Sequence, residues 1–211
     1  MQLTIFRAIF FCFTLDLFIA TPLIAKDAEM PQPAAGEKTG TREEVLLSPE
    51  IILQNGIVAL TEQFKQDANQ EKLLAFLQKE IAPHFDLGYM TRLSAGIYWN
   101  ALDEQQKKAF EEHFQHTFFQ ALVNQVSNLG NPQIRFYPAR PGANANEITV
   151  SARVTQPQGI PILMDFRFYR GDQGWKIFDV MADGSSAVLY YRRFYAELVN
   201  HYGVNALLGS D

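Results

Sequence analysis

"ILMDFRFYRGDQGWKIFDVMADGSS", residues 162–186, is the stretch that decides the fold class. Ile162, Met164, Phe166 and Phe168 alternate with Leu163, Asp165, Arg167 and Tyr169, the period-two pattern of a half-buried strand. The turn Gly171-Asp172-Gln173-Gly174 leads into a second strand from Trp175 to about Ala182, so the stretch reads as an antiparallel hairpin. Its first strand puts four large apolar side chains on one side. Met and Phe there serve equally well to fill a core or to line an adaptable pocket. Alternation by itself favours the core.

Working outward from the hairpin, period two also marks residues 134–138 and 147–155, with short connections that imply an antiparallel meander of about four strands. Everything upstream reads as helix. Ser48-Pro49-Glu50 supplies a cap, a first-turn proline and an acid, and Ile51, Ile52, Val58 and Phe64 carry that helix to about Gln66. A second helix over 69–81 turns Leu73, Leu74 and Leu77 inward and stops at Pro83. A third, amphipathic, covers 84–102. A fourth begins at the cap Asp103, aligns Phe110, Phe114, Phe118, Leu122 and Val126, and ends at Gly130-Asn131-Pro132. After the strands, a last helix runs over 186–202. Helices first, strands later and one closing helix make the chain α+β, with N-terminal helices packed on an antiparallel sheet.

The first 25 residues read as a secretory signal peptide cut after Ala25. Arg7 is their one positive charge, and the apolar run Ala8–Ala20 is too short, and too interrupted by Asp16, to span a membrane. Residues 26–47, rich in Pro, Gly, Ala, Lys and Glu, read as a disordered leader, and 48–208 as a single domain. The only cysteine, Cys12, falls inside the signal. The mature chain is thus expected to form no disulfide, thiolate metal site or cysteine nucleophile. The net charge of −5 is spread along the chain without a cationic cluster, which argues against nucleic acid as a partner.

Chemical signatures are sparse. His113 and His116 share a helix face at a spacing that suits two metal ligands, but no HExxH pattern or third ligand accompanies them. There is no G-x-S-x-G, no P-loop and no G-x-G-x-x-G. Asp179 is the exception, because it sits inside an apolar strand and needs a partner. Arg192 on the last helix, or its neighbour Arg193, is the expected one, giving a structural ion pair Asp179–Arg192. The alternative is an enzyme that uses Asp179 as a general base in an apolar pocket. A third reading is a structural adaptor whose sheet face is packed solid by helices.

Two stretches carry a family resemblance. "FDLGYMTRLSAGIYWNALDEQQKKAFEEHF" (85–114) and "GIPILMDFRFYRGDQGWKIFDVMADGSSAVLYYRRFYAELVNHYGVNALL" (159–208) resemble, in order and spacing, the signatures of the periplasmic phospholipid-binding MlaC family, also called toluene-tolerance proteins. The likeness covers about residues 50–208. Ser185 stands where the family often has valine, and Ala95-Gly96 where it often has Leu-Gly or Val-Gly. The resemblance implies an NTF2-like curved sheet with added helices. It also implies a non-enzymatic shuttle that carries phospholipid between outer- and inner-membrane complexes and maintains outer-membrane asymmetry. A hopanoid-type carrier is the neighbouring alternative.

With the resemblance, the apolar face of the hairpin becomes a lipid-pocket lining. Ile162, Met164, Phe166 and Phe168 would supply one wall, and Ile148, Val150, Ala152 and Val154 of the preceding strand another. Met90, Leu93, Ile97 and Tyr98 of the third helix, with Met181, Ser185 and Val188, would complete it. The implied partners are a phospholipid with buried acyl chains, an inner-membrane ABC transporter complex and an outer-membrane lipoprotein complex. A periplasmic monomer without a cofactor is expected.

Overall fold

The computed structural model describes residues 48–67, 69–127, 132–156 and 159–209. The expected signal peptide and leader lie outside the described residues. Helix α1 (Pro49–Gln66) starts as its sequence dictates, with Ser48 Oγ accepting from the Ile51 amide at 3.4 Å and Pro49 in the first turn. Helix α2 (Gln70–Phe76) is capped by Asn69 and widens into a π turn (Leu77–Ile81) and a 3-10 turn (Ala82–His84). The sequence predicts one uninterrupted helix there. Pro83 has no N–H with which to continue it, and the last turns loosen on the way to Phe85.

Helix α3 (Leu87–Ala95) is shorter than the 84–102 expected from the sequence. Gly96 adopts φ 57° and ψ −126°, a conformation that ends the α-helix and hands over to a 3-10 turn, Gly96–Ala101. Helix α4 (Glu104–Ser127) opens with a reciprocal box. Asp103 Oδ1 accepts from the Gln106 amide at 2.8 Å, and Gln106 Oε1 accepts from the Asp103 amide at 3.0 Å. Its phenylalanines Phe110, Phe114 and Phe119 are fully buried.

The strands are β1 (Gln133–Phe136), β2 (Arg140–Pro141), β3 (Glu147–Thr155), β4 (Ile162–Gly171), β5 (Gly174–Ala182) and β6 (Ser185–Ser186). They form one antiparallel sheet in the order β1-β3-β4-β5-β6, with β2 also on β3. Six strands replace the four expected because two of them are only two residues long, below what periodicity detects. Helix α5 (Ala187–Tyr202) leaves directly from β6, with the Ser186 hydroxyl accepting from the Leu189 amide at 3.1 Å.

The sheet register puts inward side chains in rows across the strands. Ile134, Val154 and Ile162 form one row; Phe136, Ala152 and Met164 the next; then Val150, Phe166 and Val180; then Ile148, Phe168 and Ile177. A bulge between Arg167 and Phe168 shifts the β4–β5 register by one residue, leaving Phe178 as the extra residue. The core lies where the last rows meet α3, α4 and α5, around Met90, Phe110, Phe114, Phe119, Phe168, Tyr191 and Tyr195.

Candidate functional site: an apolar cleft between the first helix and the sheet

Helix α1 crosses the end of the sheet carrying the first two rows and does not close on it. One stripe of the helix, Ile52, Leu53, Gly56, Ile57, Leu60, Thr61 and Phe64, faces Ile134, Ala152, Val154, Ile162, Met164 and Phe166 across a cleft. The far side is finished by Ile81, His84 and Phe85, and by Leu122, Gln125 and Val126 from the end of α4. Gly56 lies in the middle of the helical stripe, and a β-carbon there would touch Ile81 at 3.5 Å, so the glycine keeps the helix thin over the cleft. The free volume is about 160 Å³.

Burial separates cleft from core along a single strand. Phe168 is fully buried, whereas Ile162, Met164 and Phe166, on the same face, are only partly buried. Apolar side chains that point towards a helix layer yet stay accessible mean that the layer leaves space over them. On α1 only Pro49 and Leu53 are buried, and Val58 is 57% exposed. The helix is therefore held by little more than one edge of its apolar stripe.

Polar groups in the cleft are few. Thr61 satisfies its hydroxyl by donating to the Ile57 carbonyl at 2.8 Å. His84 has its pKa lowered, first by burial and second by the nearby charge of Lys176, which holds the imidazole neutral near pH 7. The Lys176 ammonium itself donates to the Pro83 carbonyl at 2.6 Å. Among the described residues no group of three His, Asp or Glu side chains is arranged to hold a metal ion. What the arrangement can do is receive an apolar, uncharged chain.

The family model described as MlaC protein matches residues 53–210 of the chain. The chain belongs to the MlaC family. A solved structure of similar fold is a phospholipid-binding protein from Ralstonia solanacearum in complex with a phospholipid. It is 19% identical, with a TM-score of 0.65, and the match covers 75% of this chain and 97% of that one. Among curated proteins none matches. The α+β architecture agrees with the MlaC fold.

Of the lining residues expected from the MlaC resemblance, the cleft brings together Ala152, Val154, Ile162, Met164 and Phe166. The others go elsewhere. Met90, Val150, Phe168 and Val188 are closed into the core, and Ile148 packs against it. Met181 stands opposite Asp165 and Ser186, on the sheet face away from Phe166, and Ser185 is exposed. Leu93, Ile97 and Tyr98 line a separate groove with Arg192 and Ala196 of α5, where Gly96 ends α3 and hands over to the 3-10 turn. The lining expected from the sequence includes neither the α1 residues nor His84, although both line the cleft. Of the apolar positions named for that helix, Ile52 and Phe64 face the cleft together with Ile57 and Leu60, whereas Val58 is exposed. A glycine inside an otherwise apolar helical stripe was the available signal.

The expected pair Asp179–Arg192 is not formed. Arg192 Nε donates to the Leu93 carbonyl at 2.8 Å. Asp179, 2% exposed, accepts from Ser186 Oγ at 2.7 Å and from the Val188 amide at 3.2 Å, and its ion partner is Arg167 at 3.5 Å. The bulge explains this. An unbroken hairpin register would set Asp179 opposite Phe166, facing the cleft; the extra residue sets it opposite Arg167, on the other face. On that face Arg167 also lies over the Phe178 ring, 4.6 Å from its centroid, and the Tyr169 hydroxyl donates to Asp86. That bond, with burial second, pushes the Tyr169 pKa up to about 12.

Proposed function

We propose that this MlaC-family protein is a lipid carrier of the bacterial periplasm that takes phospholipid acyl chains into the α1–sheet cleft and passes the lipid between outer- and inner-membrane complexes. The observation that carries the reading is the row of inward, apolar and only half-buried side chains Ile162, Met164 and Phe166 beneath a helix that does not seal them. The phospholipid held by the Ralstonia relative of the same fold supports it. The energetics suit transfer. Burying two chains of about sixteen carbons gains roughly 25 kcal/mol relative to water at ~0.8 kcal/mol per CH₂, and a bilayer offers nearly the same gain. Exchange between bilayer and protein is then close to balanced, and the carrier's work is to remove the aqueous barrier.

The cleft as it stands, about 160 Å³, is close in size to an engineered cavity that admits benzene, and smaller than one acyl chain. That observation favours the solid-packed adaptor, but half-buried lining and a thinly held α1 favour a cleft that widens when loaded. The enzyme reading loses its residue, because Asp179 faces away from the cleft and is engaged by three partners.

The test is the lipid content of protein purified from a Gram-negative envelope, extracted and identified by mass spectrometry. Wild type is expected to carry phospholipid, and Ala152→Trp and Ile162→Glu to lose most of it while keeping a cooperative thermal transition. Lipid retained by both variants, or none in the wild type, would falsify the carrier reading; a hopanoid in the extract would redirect it to the neighbouring cargo.

A further inference from the structure

The groove that collects Leu93, Ile97 and Tyr98 is not part of the cleft. It lies between the α3 end, the 3-10 turn and α5, with a free volume of about 550 Å³, and its rim carries Arg92 and Arg192. Neither arginine has an ion-pair partner among the described residues, in a chain whose net charge is −5. Arg192 is held in place. Its Nε is anchored on the Leu93 carbonyl at 2.8 Å, and a β-carbon at Gly96 would come within 3.3 Å of that nitrogen. The glycine, at φ 57°, is thus what lets the Arg192 side chain lie close across the turn while lining the groove.

Beside these cations the 3-10 turn presents Ile97, 82% exposed, and adds Tyr98 and Trp99 to the lining. On α5, Leu189 at 54% exposure and Arg193 continue the same helical stripe as Arg192. Exposed apolar side chains interleaved with arginine and aromatics are the composition of binding hot spots rather than of a solvated face.

We propose that this groove is a docking site for a partner protein, and that the segment it receives carries a carboxylate close to a large apolar side chain. The arginines without ion-pair partners favour the acid, and Ile97 with Tyr98 and Trp99 favours the apolar neighbour. The concavity decides between partners. A groove accepts a protruding segment, whereas a flat bilayer would touch the arginines and leave the hollow unfilled. The inference stands on the groove's own residues and does not depend on what the cleft holds.

The test is selection from a displayed library of short random peptides, on full-length wild type with Ile97→Asp and Arg92→Glu as counter-targets. Both substitutions are at exposed positions, and melting temperature and lipid content are measured alongside. Peptides dependent on the wild-type groove are expected to pair Asp or Glu with Leu, Ile, Phe or Trp. A synthesised example should lose affinity by about tenfold or more against each variant, roughly the loss of one hot-spot contact. Selection yielding no groove-dependent peptides, or basic ones, would overturn the proposal. So would groove-dependent binding to phosphatidylglycerol vesicles, which would make the site a membrane contact, or a wild-type dimer that Ile97→Asp dissociates, which would make it a self-interface.

Discussion

At the scale of single residues, His84 and Asp179 make separable tests. The folded-state pKa of His84 lies below the ordinary 6.5, so between the two values the unfolded chain binds more protons. The stability this neutral histidine contributes is fully present above about pH 6.5 and is lost as pH falls towards the lowered value. His113, lowered mainly by burial, acts with the same sign, so a His84→Gln variant isolates the cleft residue. Lipid in the cleft would exclude further water from His84, and acid should therefore weaken lipid retention. Retention at about pH 5 against about pH 8 is expected to differ in wild type and much less in His84→Gln; an unchanged pH dependence would remove His84 from the site. For Asp179, replacement by Ala takes the acceptor from Ser186, Val188 and Arg167 at once. Because Arg167 is a third exposed, the loss is expected near the lower end of the buried-pair range, about 3 kcal/mol. Arg192→Ala should leave that network untouched. Chemical denaturation of the two variants reads this directly, and equal losses would contradict the pairing.

At the scale of elements, α1 is the wall most able to move. It is joined to the rest through one capped end and a narrow buried edge, while α4 is anchored by Phe110, Phe114 and Phe119. Widening a cleft of about 160 Å³ to admit acyl chains thus displaces α1 before it disturbs α4. Hydrogen exchange of delipidated and lipid-loaded protein should show α1 and the 77–84 turns gaining protection, with α4 from Phe110 to Phe119 unchanged. Uniform protection would mean a rigid cleft. Within the helix, Leu60→Asp should abolish lipid binding and Val58→Asp should not, since Leu60 lines the cleft and Val58 is 57% exposed. The 84–102 segment shows how one residue redistributes a whole element. Its apolar pattern is real, but Gly96 divides it: Met90 before the break enters the core, Ile97 after it is exposed, and residues on both sides of the break line the second groove.

At the scale of the molecule, cargo and stability are linked. A ligand bound only by the folded state raises stability by RT ln(1 + [L]/Kd), so lipid-loaded protein is expected to melt above delipidated protein, by calorimetry or fluorescence. The shift should vanish in Ala152→Trp. No shift in wild type would mean that the lipid is not held by the native fold. The same scale separates what could be read from the chain and what could not. Strand β3 occupies the predicted residues 147–155, and Ser48 and Asp103 start their helices as expected. These features are local, since alternation, capping hydroxyls and proline act within a few residues of themselves. The inward face of β4 was equally legible. What covers that face was not, because an apolar stripe names the side to be buried and leaves the covering element unspecified. Phe168 meets α-helical core and Ile162 meets an open cleft only because α1 stops short of sealing one end of the sheet. The destination of Asp179 was also beyond the sequence. A single bulged residue, Phe178, reverses which face the next side chain takes, and that register is decided by packing across strands rather than by any property of the strand alone.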